Sequence, residues 1–229
     1  MTIPDKPDSY LQTQSRFDDP SVAQRYVLKK NTLNTSKNRR EMACIEAALS
    51  GLPKQARVLD LPCGSGRLEE MLLNRGYTVV AADYALAMLD AAKEFHTGLF
   101  EAETEKAERL VFQQEDILNT SFEEGAFDAV ICNRLFHHYP EAQLRQRVLA
   151  ELKRISKDRI IVSFFSNFAL SALRFHLLNT LKGEAPNDRI PIWFRTFERD
   201  IKKSGLKVNG VFPVRRGVSP QTYLSLSRA

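Results

Sequence analysis

Three aspartates and two glycines are the residues of this sequence whose types and spacing point to ligand chemistry. Asp60 ends a short apolar run that Gly64 and Gly66 follow, and Asp83 and Asp116 come after two later apolar runs. Because glycine has no Cβ, a ligand can lie directly against the backbone of such a turn. A carboxylate offers two oxygens to two adjacent hydroxyl donors. The pattern therefore predicts a nucleotide-like ligand at the ends of parallel strands.

Strands and helices must alternate to bring these residues together. After the glycine turn, Leu68, Met71 and Leu72 recur at helical spacing and Gly76 ends that helix. The free N–H groups of this helix would point towards the turn. Further apolar runs predict strands over 78–82, 111–114, 127–133, 159–165, 208–214 and 222–227.

A dinucleotide site is the competing interpretation of the glycine turn. Gly64 and Gly66 are followed by Glu69, where the dinucleotide pattern has a third glycine. Asp60 would repel a pyrophosphate but would attract a cationic amine. The acid at the strand end therefore favours a ligand with an amino group, and a purely structural turn is the third alternative.

Residues 60–66, Asp-Leu-Pro-Cys-Gly-Ser-Gly, resemble motif I of the class I S-adenosylmethionine (SAM) dependent methyltransferases. Residues 83–89 resemble the family's second motif, with Ala85 in place of the usual serine, and residues 127–133 resemble its motif IV. Pro62 departs from the usual first glycine of motif I and removes one backbone N–H. The resemblance covers residues 40–229 and is strongest over 57–139.

The resemblance implies an α/β fold with a Rossmann-like seven-stranded sheet in the order 3-2-1-4-5-7-6. The last strand would be antiparallel, and helices would cover both faces. We expect a flexible N-terminus over 1–14 and a methyltransferase domain over 15–229. Within the domain, residues 15–50 would form cap helices and residues 168–195 a lid-like insertion after the fifth strand.

The resemblance also implies a cofactor, SAM, with S-adenosylhomocysteine (SAH) as its product. Asp60 would hold the methionine amine, Asp83 the ribose, and Asp116 the adenine amino group with the backbone of Ile117 beside it. The implied cofactor residues are Asp60, Leu61, Cys63, Gly64, Gly66, Asp83, Tyr84, Asp116, Ile117 and Asn133. Arg40 is a candidate for the methionine carboxylate or an anionic substrate, and its alternative is a solvated charged face.

His138 is the candidate catalytic residue, since an imidazole can take a proton from an acceptor hydroxyl near neutral pH. The alternative is that His138 packs near the cofactor and does no proton chemistry. We expect His137 at the surface or in a capping role. Asn133 and Arg134 do not begin the Asn-Pro-Pro-Tyr pattern of enzymes that methylate base amines, which makes that reaction less favoured.

Composition sets broad limits on the function. The chain has 229 residues, 43% of them hydrophobic, with a net charge of +5 and a pI near 9.1. No apolar run approaches the ~20 residues of a membrane span, although the basic charge is compatible with peripheral membrane contact. The three cysteines predict no disulfide framework and favour a reducing cytoplasm. Histidines and acids show no metal-ligand spacing, so we expect no metal.

These features predict a SAM-dependent methyltransferase that acts as a monomer or homodimer. The methyl group would pass by SN2 transfer to a small-molecule or cell-surface glycolipid or sugar acceptor, at oxygen, as in a bacterial branch of the family. An RNA methyltransferase is the runner-up within the enzyme class, although nucleic acid is the less favoured partner. A non-catalytic SAM-binding module is the alternative from another class.

Overall fold

The computed structural model describes residues 6–30, 35–100, 104–167 and 190–229. Its seven strands form one mixed sheet in the order β3-β2-β1-β4-β5-β7-β6. The strands are β1 (Arg57–Asp60), β2 (Thr78–Asp83), β3 (Leu110–Gln114), β4 (Phe127–Cys132), β5 (Ser156–Phe165), β6 (Leu206–Pro213) and β7 (Gln221–Arg228). Strands β1 to β5 are parallel, and β7 runs antiparallel to both β5 and β6. The predicted strand order and the antiparallel last strand are confirmed.

Helices connect and cover these strands. The described helices are α1 (Asp8–Phe17), α2 (Pro20–Lys30), α3 (Ser36–Ala48), α4 (Glu69–Asn74), α5 (Leu86–Phe100), α6 (Thr104–Glu108), α7 (Ala142–Ile155) and α8 (Phe194–Lys203). A 3-10 turn, Phe136–His138, follows β4.

Each central strand sends alternate side chains into two separate cores. In β4, Val130 and Cys132 pack with α7 and α8, whereas Ala129 and Ile131 pack with α3 and α4. All four side chains are fully buried. A strand buried on both faces has no polar face, which explains why β4 appears in the sequence as a nearly continuous apolar run.

The N-terminal prediction is wrong for residues 8–14, which belong to α1 rather than to a flexible segment. Tyr10 fixes this helix: it is 1% exposed, its ring lies 6.0 Å from that of Tyr139, and its hydroxyl donates to Asp116. One buried tyrosine in a polar segment leaves no periodic apolar pattern, so the helix could not be predicted from hydrophobic periodicity.

The predicted lid falls largely outside the described residues, since 168–189 are not among them. At its end, Ile192 forms a bridge with Ser166 and is 6% exposed, and α8 already begins at Phe194. Within the part of the chain that the structure describes, no helix is both long enough and apolar enough to cross a membrane.

Candidate functional site

A cleft opens where β1, β2, β4 and β5 end, at the carboxyl edge of the parallel part of the sheet. The space between its walls measures about 1260 Å3, counting the open mouth. The sequence-predicted residues that line it are Asp60, Cys63, Gly64, Asp83, Tyr84, Ile117, Asn133 and His138. Open α/β sheets bind their ligands at this edge, beside the strand where the order reverses, which here is β1.

The glycine turn after β1 is tied to the end of β2 by hydrogen bonds. Asp83 accepts the backbone N–H of Gly64 on Oδ2 at 2.8 Å and that of Ala85 on Oδ1 at 3.0 Å. The N–H of Cys63 donates to the carbonyl of Ala82 at 2.8 Å. Burial, partly offset by these N–H groups, raises the pKa of Asp83 to about 6. Two strand ends are thereby held as one rigid rim, which we call the β1–β2 end of the cleft.

Gly64 and Gly66 both adopt left-handed backbone angles, with φ of 56° and 73°. A Cβ added to Gly64 would meet no atom within 4 Å, so its backbone faces open space into which a ligand can fit. A Cβ on Gly66 would lie 2.8 Å from Nε2 of His96, which is buried against the turn. Gly64 therefore borders the cleft, whereas Gly66 supports the turn from behind.

Asp60 is a buried carboxylate at the floor of the cleft. It is 1% exposed, and its Oδ1 has no hydrogen-bond partner among the described residues. Burial raises the pKa of Asp60 well above its ordinary value, and the neighbouring carboxylate of Glu69 adds to this increase. Both oxygens of Glu69 are likewise buried without a hydrogen-bond partner among the described residues, although His96 Nε2 lies 3.6 Å from Oε2. An ammonium group beside Asp60 would supply the missing donor and favour the ionised carboxylate.

Asp116 lies beside the cleft and already has partners from the N-terminal segment. Lys6 Nζ donates to its Oδ2 at 2.7 Å, the Tyr10 hydroxyl donates to Oδ1, and the N–H of Leu118 donates to Oδ1 at 2.9 Å. Although burial opposes it, the hydrogen bonds from Lys6 and Tyr10 hold the pKa of Asp116 below its ordinary value. The neighbouring Ile117 lines the cleft directly.

The opposite wall, which we call the β4–β5 end, begins with Asn133. Its Oδ1 accepts the hydroxyls of Tyr223 at 3.0 Å and of Ser163 at 3.2 Å. Because both donors bind the oxygen, the amide nitrogen is the group that Asn133, which lines the cleft, can offer to a ligand as a donor. The next residue, Arg134, has a left-handed backbone conformation with φ of 59°, and its backbone N–H donates to Ser163 Oγ at 2.7 Å. A non-glycine residue in this conformation is uncommon and must be held by its surroundings.

A buried glutamate orients two arginines at this wall. Glu41 of α3 is fully buried, and its two oxygens accept hydrogen bonds from Arg134 Nη2 at 2.8 and 2.7 Å. Glu41 also accepts a hydrogen bond from Arg67 Nη1 at 2.8 Å, and the same nitrogen donates to the side-chain oxygen of Asn38. Burial opposes the ionised form, but the two guanidiniums hold the pKa of Glu41 below its ordinary value. The trio carries one negative and two positive charges.

Both histidines of the pair line the cleft, but only His137 is fully buried. His138 lines the cleft, with the Phe17 ring edge-on at 5.6 Å and the His137 ring at 4.1 Å. The prediction for His137 is wrong: it is 3% exposed and stacks on Phe165 at 4.2 Å with an interplanar angle of 8°. Since Ile190 N–H also donates to its carbonyl at 2.8 Å, His137 belongs to the wall rather than the surface.

Besides Asp116, which lies beside the cleft, three predicted residues do not line it. Leu61 is 1% exposed in the core, and Gly66 lies behind the turn. Arg40 is exposed on α3 and does not line the cleft, whereas Lys37, one turn earlier, does. Thr35, which precedes α3, caps it by accepting the N–H of Asn38 at 3.2 Å.

Sequence reasoning missed Glu41, Arg67, Glu69 and Arg134 as parts of the site. Arg67 and Glu69 directly follow the glycine turn, which was a local signal that could have drawn attention to them. Glu41 and Arg134 meet across 93 residues, and no local pattern indicates such a contact.

Residues 58–159 match the family model described as "Methyltransferase domain". Together with the sheet order and the cleft, this match supports a class I SAM-dependent methyltransferase domain over these residues. SAM is the cofactor of this family, and the orphaned Asp60 oxygen and the open face of Gly64 fit such a group.

Two curated relatives show what kinds of protein are similar to this chain. A demethylmenaquinone methyltransferase of Renibacterium salmoninarum is 28% identical over 158 residues, which are 68% of this chain and 60% of that protein. A ubiquinone biosynthesis O-methyltransferase of Xanthomonas axonopodis pv. citri is 31% identical over 101 residues, 44% of this chain and 39% of that protein. The matched part thus spans less than two thirds of either relative.

Among solved structures, the magnesium protoporphyrin IX methyltransferase of Synechocystis PCC 6803 with bound SAH superposes with a TM-score of 0.72. The identity is 17%, and the match covers 97% of this chain and 100% of the other. At this identity the likeness shows the fold.

Proposed function

We propose that this chain binds SAM in the cleft and transfers its methyl group to an oxygen of a small-molecule acceptor. The observation that carries the proposal is the β1–β2 end, where Gly64 presents open backbone between two buried aspartates, Asp60 and Asp83. This arrangement suits a ligand with a cationic amine at one point and a pair of hydroxyls at another.

We assign each cofactor contact from the position of a side chain. Asp60 would bind the methionine amine, and Asp83 would bind the ribose hydroxyls with the lone pairs that its backbone donors leave available. Ile117 and Tyr84 would contact the adenine, and Asp116 would accept the adenine amino group at the oxygen to which Lys6 now donates.

SAM supplies a methyl group that is already activated on a sulfonium. The protein therefore has to align the acceptor with the methyl group and exclude water. Asn133, at the end of β4, borders the acceptor side. His138 lies there too, within a group of aromatic rings, and an alcohol or phenol acceptor could lose its proton to that imidazole.

The relatives and the cleft walls support this acceptor class. One curated relative is named a demethylmenaquinone methyltransferase, and the other is named as an O-methyltransferase of ubiquinone biosynthesis. Phe17, Tyr26, Phe165 and Tyr139 give this cleft an aromatic lining, which suits a planar apolar acceptor. A glycolipid or sugar acceptor is the alternative raised by the basic segment before the sheet.

Labelled-methyl transfer tests the proposal. Purified protein and radiolabelled SAM are added to a lysate separated into small-molecule, envelope, RNA and protein fractions, with Asp83→Ala as the control. We expect label in the small-molecule or organic-extractable fraction, and none with the variant. Label in RNA would support the runner-up, and SAH binding with no label in any fraction would support the non-catalytic module.

A further inference from the structure

The β4–β5 end of the cleft presents hydrogen-bond donors and positive charge rather than acceptors. Arg134 lines the cleft with a side chain that is 38% exposed, and Lys37 lines the same cleft from the start of α3. Asn133 adds its amide N–H group, because two hydroxyls occupy its oxygen. Three donor-bearing side chains therefore line the same cleft.

Arg134 is held in place before any ligand arrives. Its Nη2 donates to both oxygens of buried Glu41. Its backbone is left-handed, and the backbone N–H donates to the Ser163 hydroxyl. Glu41 cannot neutralise the wall, since it also pairs with Arg67 and leaves the trio with one net positive charge. A guanidinium fixed in this way loses little side-chain entropy when it binds an anion.

An aromatic strip lines the same cleft as these donors. Ring contacts run from Tyr26 to Phe17 at 5.9 Å, from Phe17 to His138 at 5.6 Å, and from His138 through His137 to Phe165. Phe165 ends β5, the strand that carries Ser163, the partner of the Arg134 backbone. A row of aromatic rings and a fixed cation thus line the same cleft.

We infer that the acceptor is an aromatic molecule bearing a carboxylate, and that Arg134 binds this carboxylate as a specificity-determining residue, with Asn133 and Lys37 beside it. This inference rests on the proposed function and names the acceptor class for the same cleft. The carboxylate serves as a handle that positions the acceptor, and no bond to it is formed or broken.

Paired probes of equal shape test the inference in solution. SAH-loaded protein is titrated with 2-naphthoate and with 2-naphthamide, and binding is followed by ligand-observed NMR. We expect naphthoate to bind at least about tenfold more tightly, as for a charge-assisted hydrogen bond. Arg134→Gln should remove this preference and Arg134→Lys should keep part of it. Arg75→Gln, at an exposed arginine paired with Glu46 on the opposite side of α3, should leave it unchanged.

A preference below about twofold in the wild type, or an undiminished one in Arg134→Gln, would overturn the inference. The cofactor has a carboxylate of its own, so the SAH affinity of Arg134→Gln is measured in parallel. A fall in SAH affinity as large as the fall in naphthoate affinity would assign Arg134 to the cofactor and overturn its acceptor role. Failure of wild-type protein to bind SAH would instead contradict the proposed function, because naphthoate preference is also measurable without SAH.

Discussion

The two ends of the cleft are built by different means, although both follow neighbouring strands of the same sheet. At the β1–β2 end, backbone hydrogen bonds to Asp83 and the left-handed Gly64 set the geometry. At the β4–β5 end, side chains from distant elements do so, since Glu41 reaches Arg134 from α3 and Tyr223 reaches Asn133 from β7.

This difference separates a general binding function from a specific one. A rim made of backbone contacts depends on few side chains, so it suits a cofactor shared by a whole family. A wall made of side chains can change with single substitutions, so it suits recognition of one acceptor class. The following predictions test this division, from the largest expected effect to the smallest.

Glu41→Gln should disrupt the β4–β5 end most strongly. It leaves the Arg67 and Arg134 guanidiniums without their buried counter-charge, and we expect about 3 kcal/mol lower stability, at the low end of the usual range because Arg134 is partly exposed. Thermal unfolding should shift down by roughly 6–12 °C. Glu46→Gln is the matched control on the same helix: its partner Arg75 is exposed, so a loss below about 1 kcal/mol is expected. Equal shifts for both variants would contradict the buried network.

Substitutions at the two glycines should separate support of the turn from ligand approach. Gly66→Ala combines a left-handed residue with a Cβ only 2.8 Å from His96, so we expect about 2–3 kcal/mol lower stability in chemical denaturation. Gly64→Ala introduces the same backbone strain without a steric clash, so we expect a stability loss of only about 1 kcal/mol. Its methyl group, however, fills the space where the cofactor would lie. For Gly64→Ala, the loss of SAH binding free energy should therefore exceed the loss of folding stability. A Gly64→Ala protein with wild-type SAH affinity would remove Gly64 from the cofactor site.

The affinity for SAH should rise with pH between 5 and 7. With the pKa of Asp83 raised to about 6, this carboxyl is mostly protonated at pH 5 and mostly ionised at pH 7, and only the ionised form accepts both ribose hydroxyls. We expect roughly tenfold tighter binding at pH 7 than at pH 5. The raised pKa of Asp60 acts in the same direction through the amine. Calorimetric titration at several pH values measures how steeply the SAH affinity rises with pH. Asp83→Asn should reduce this dependence, and an affinity that does not change with pH in the wild type would contradict the prediction.

The same pKa has the opposite effect on folding. Because folded Asp83 holds its proton to a higher pH than an unfolded aspartate does, the native state binds more protons between about pH 4 and 6. The contribution of Asp83 to stability is therefore fully present below about pH 4 and is lost as the pH rises through 6. Cofactor binding, which favours ionised Asp83, compensates for this loss.

The sequence was sufficient to predict what local patterns encode. The strand order, the glycine turn and the acids at the ends of β1 and β2 all follow from apolar runs, turn residues and family motifs. Features made by contacts distant in sequence were not predictable. Tyr10 joins α1 to Asp116 across 106 residues, Arg40 is turned outward while Glu41 beside it is buried, and His137 is enclosed by Phe165.

The central claim, that the β1–β2 end holds the cofactor independently of the β4–β5 end, is tested most directly by titrating SAH into two variants. We predict that Asp83→Ala, with its fold intact by circular dichroism, binds SAH at least about tenfold more weakly than the wild type. Arg134→Gln should stay within about threefold of the wild type. Unchanged affinity in Asp83→Ala, or an equal loss in both variants, would contradict the division of the cleft into a cofactor end and an acceptor end.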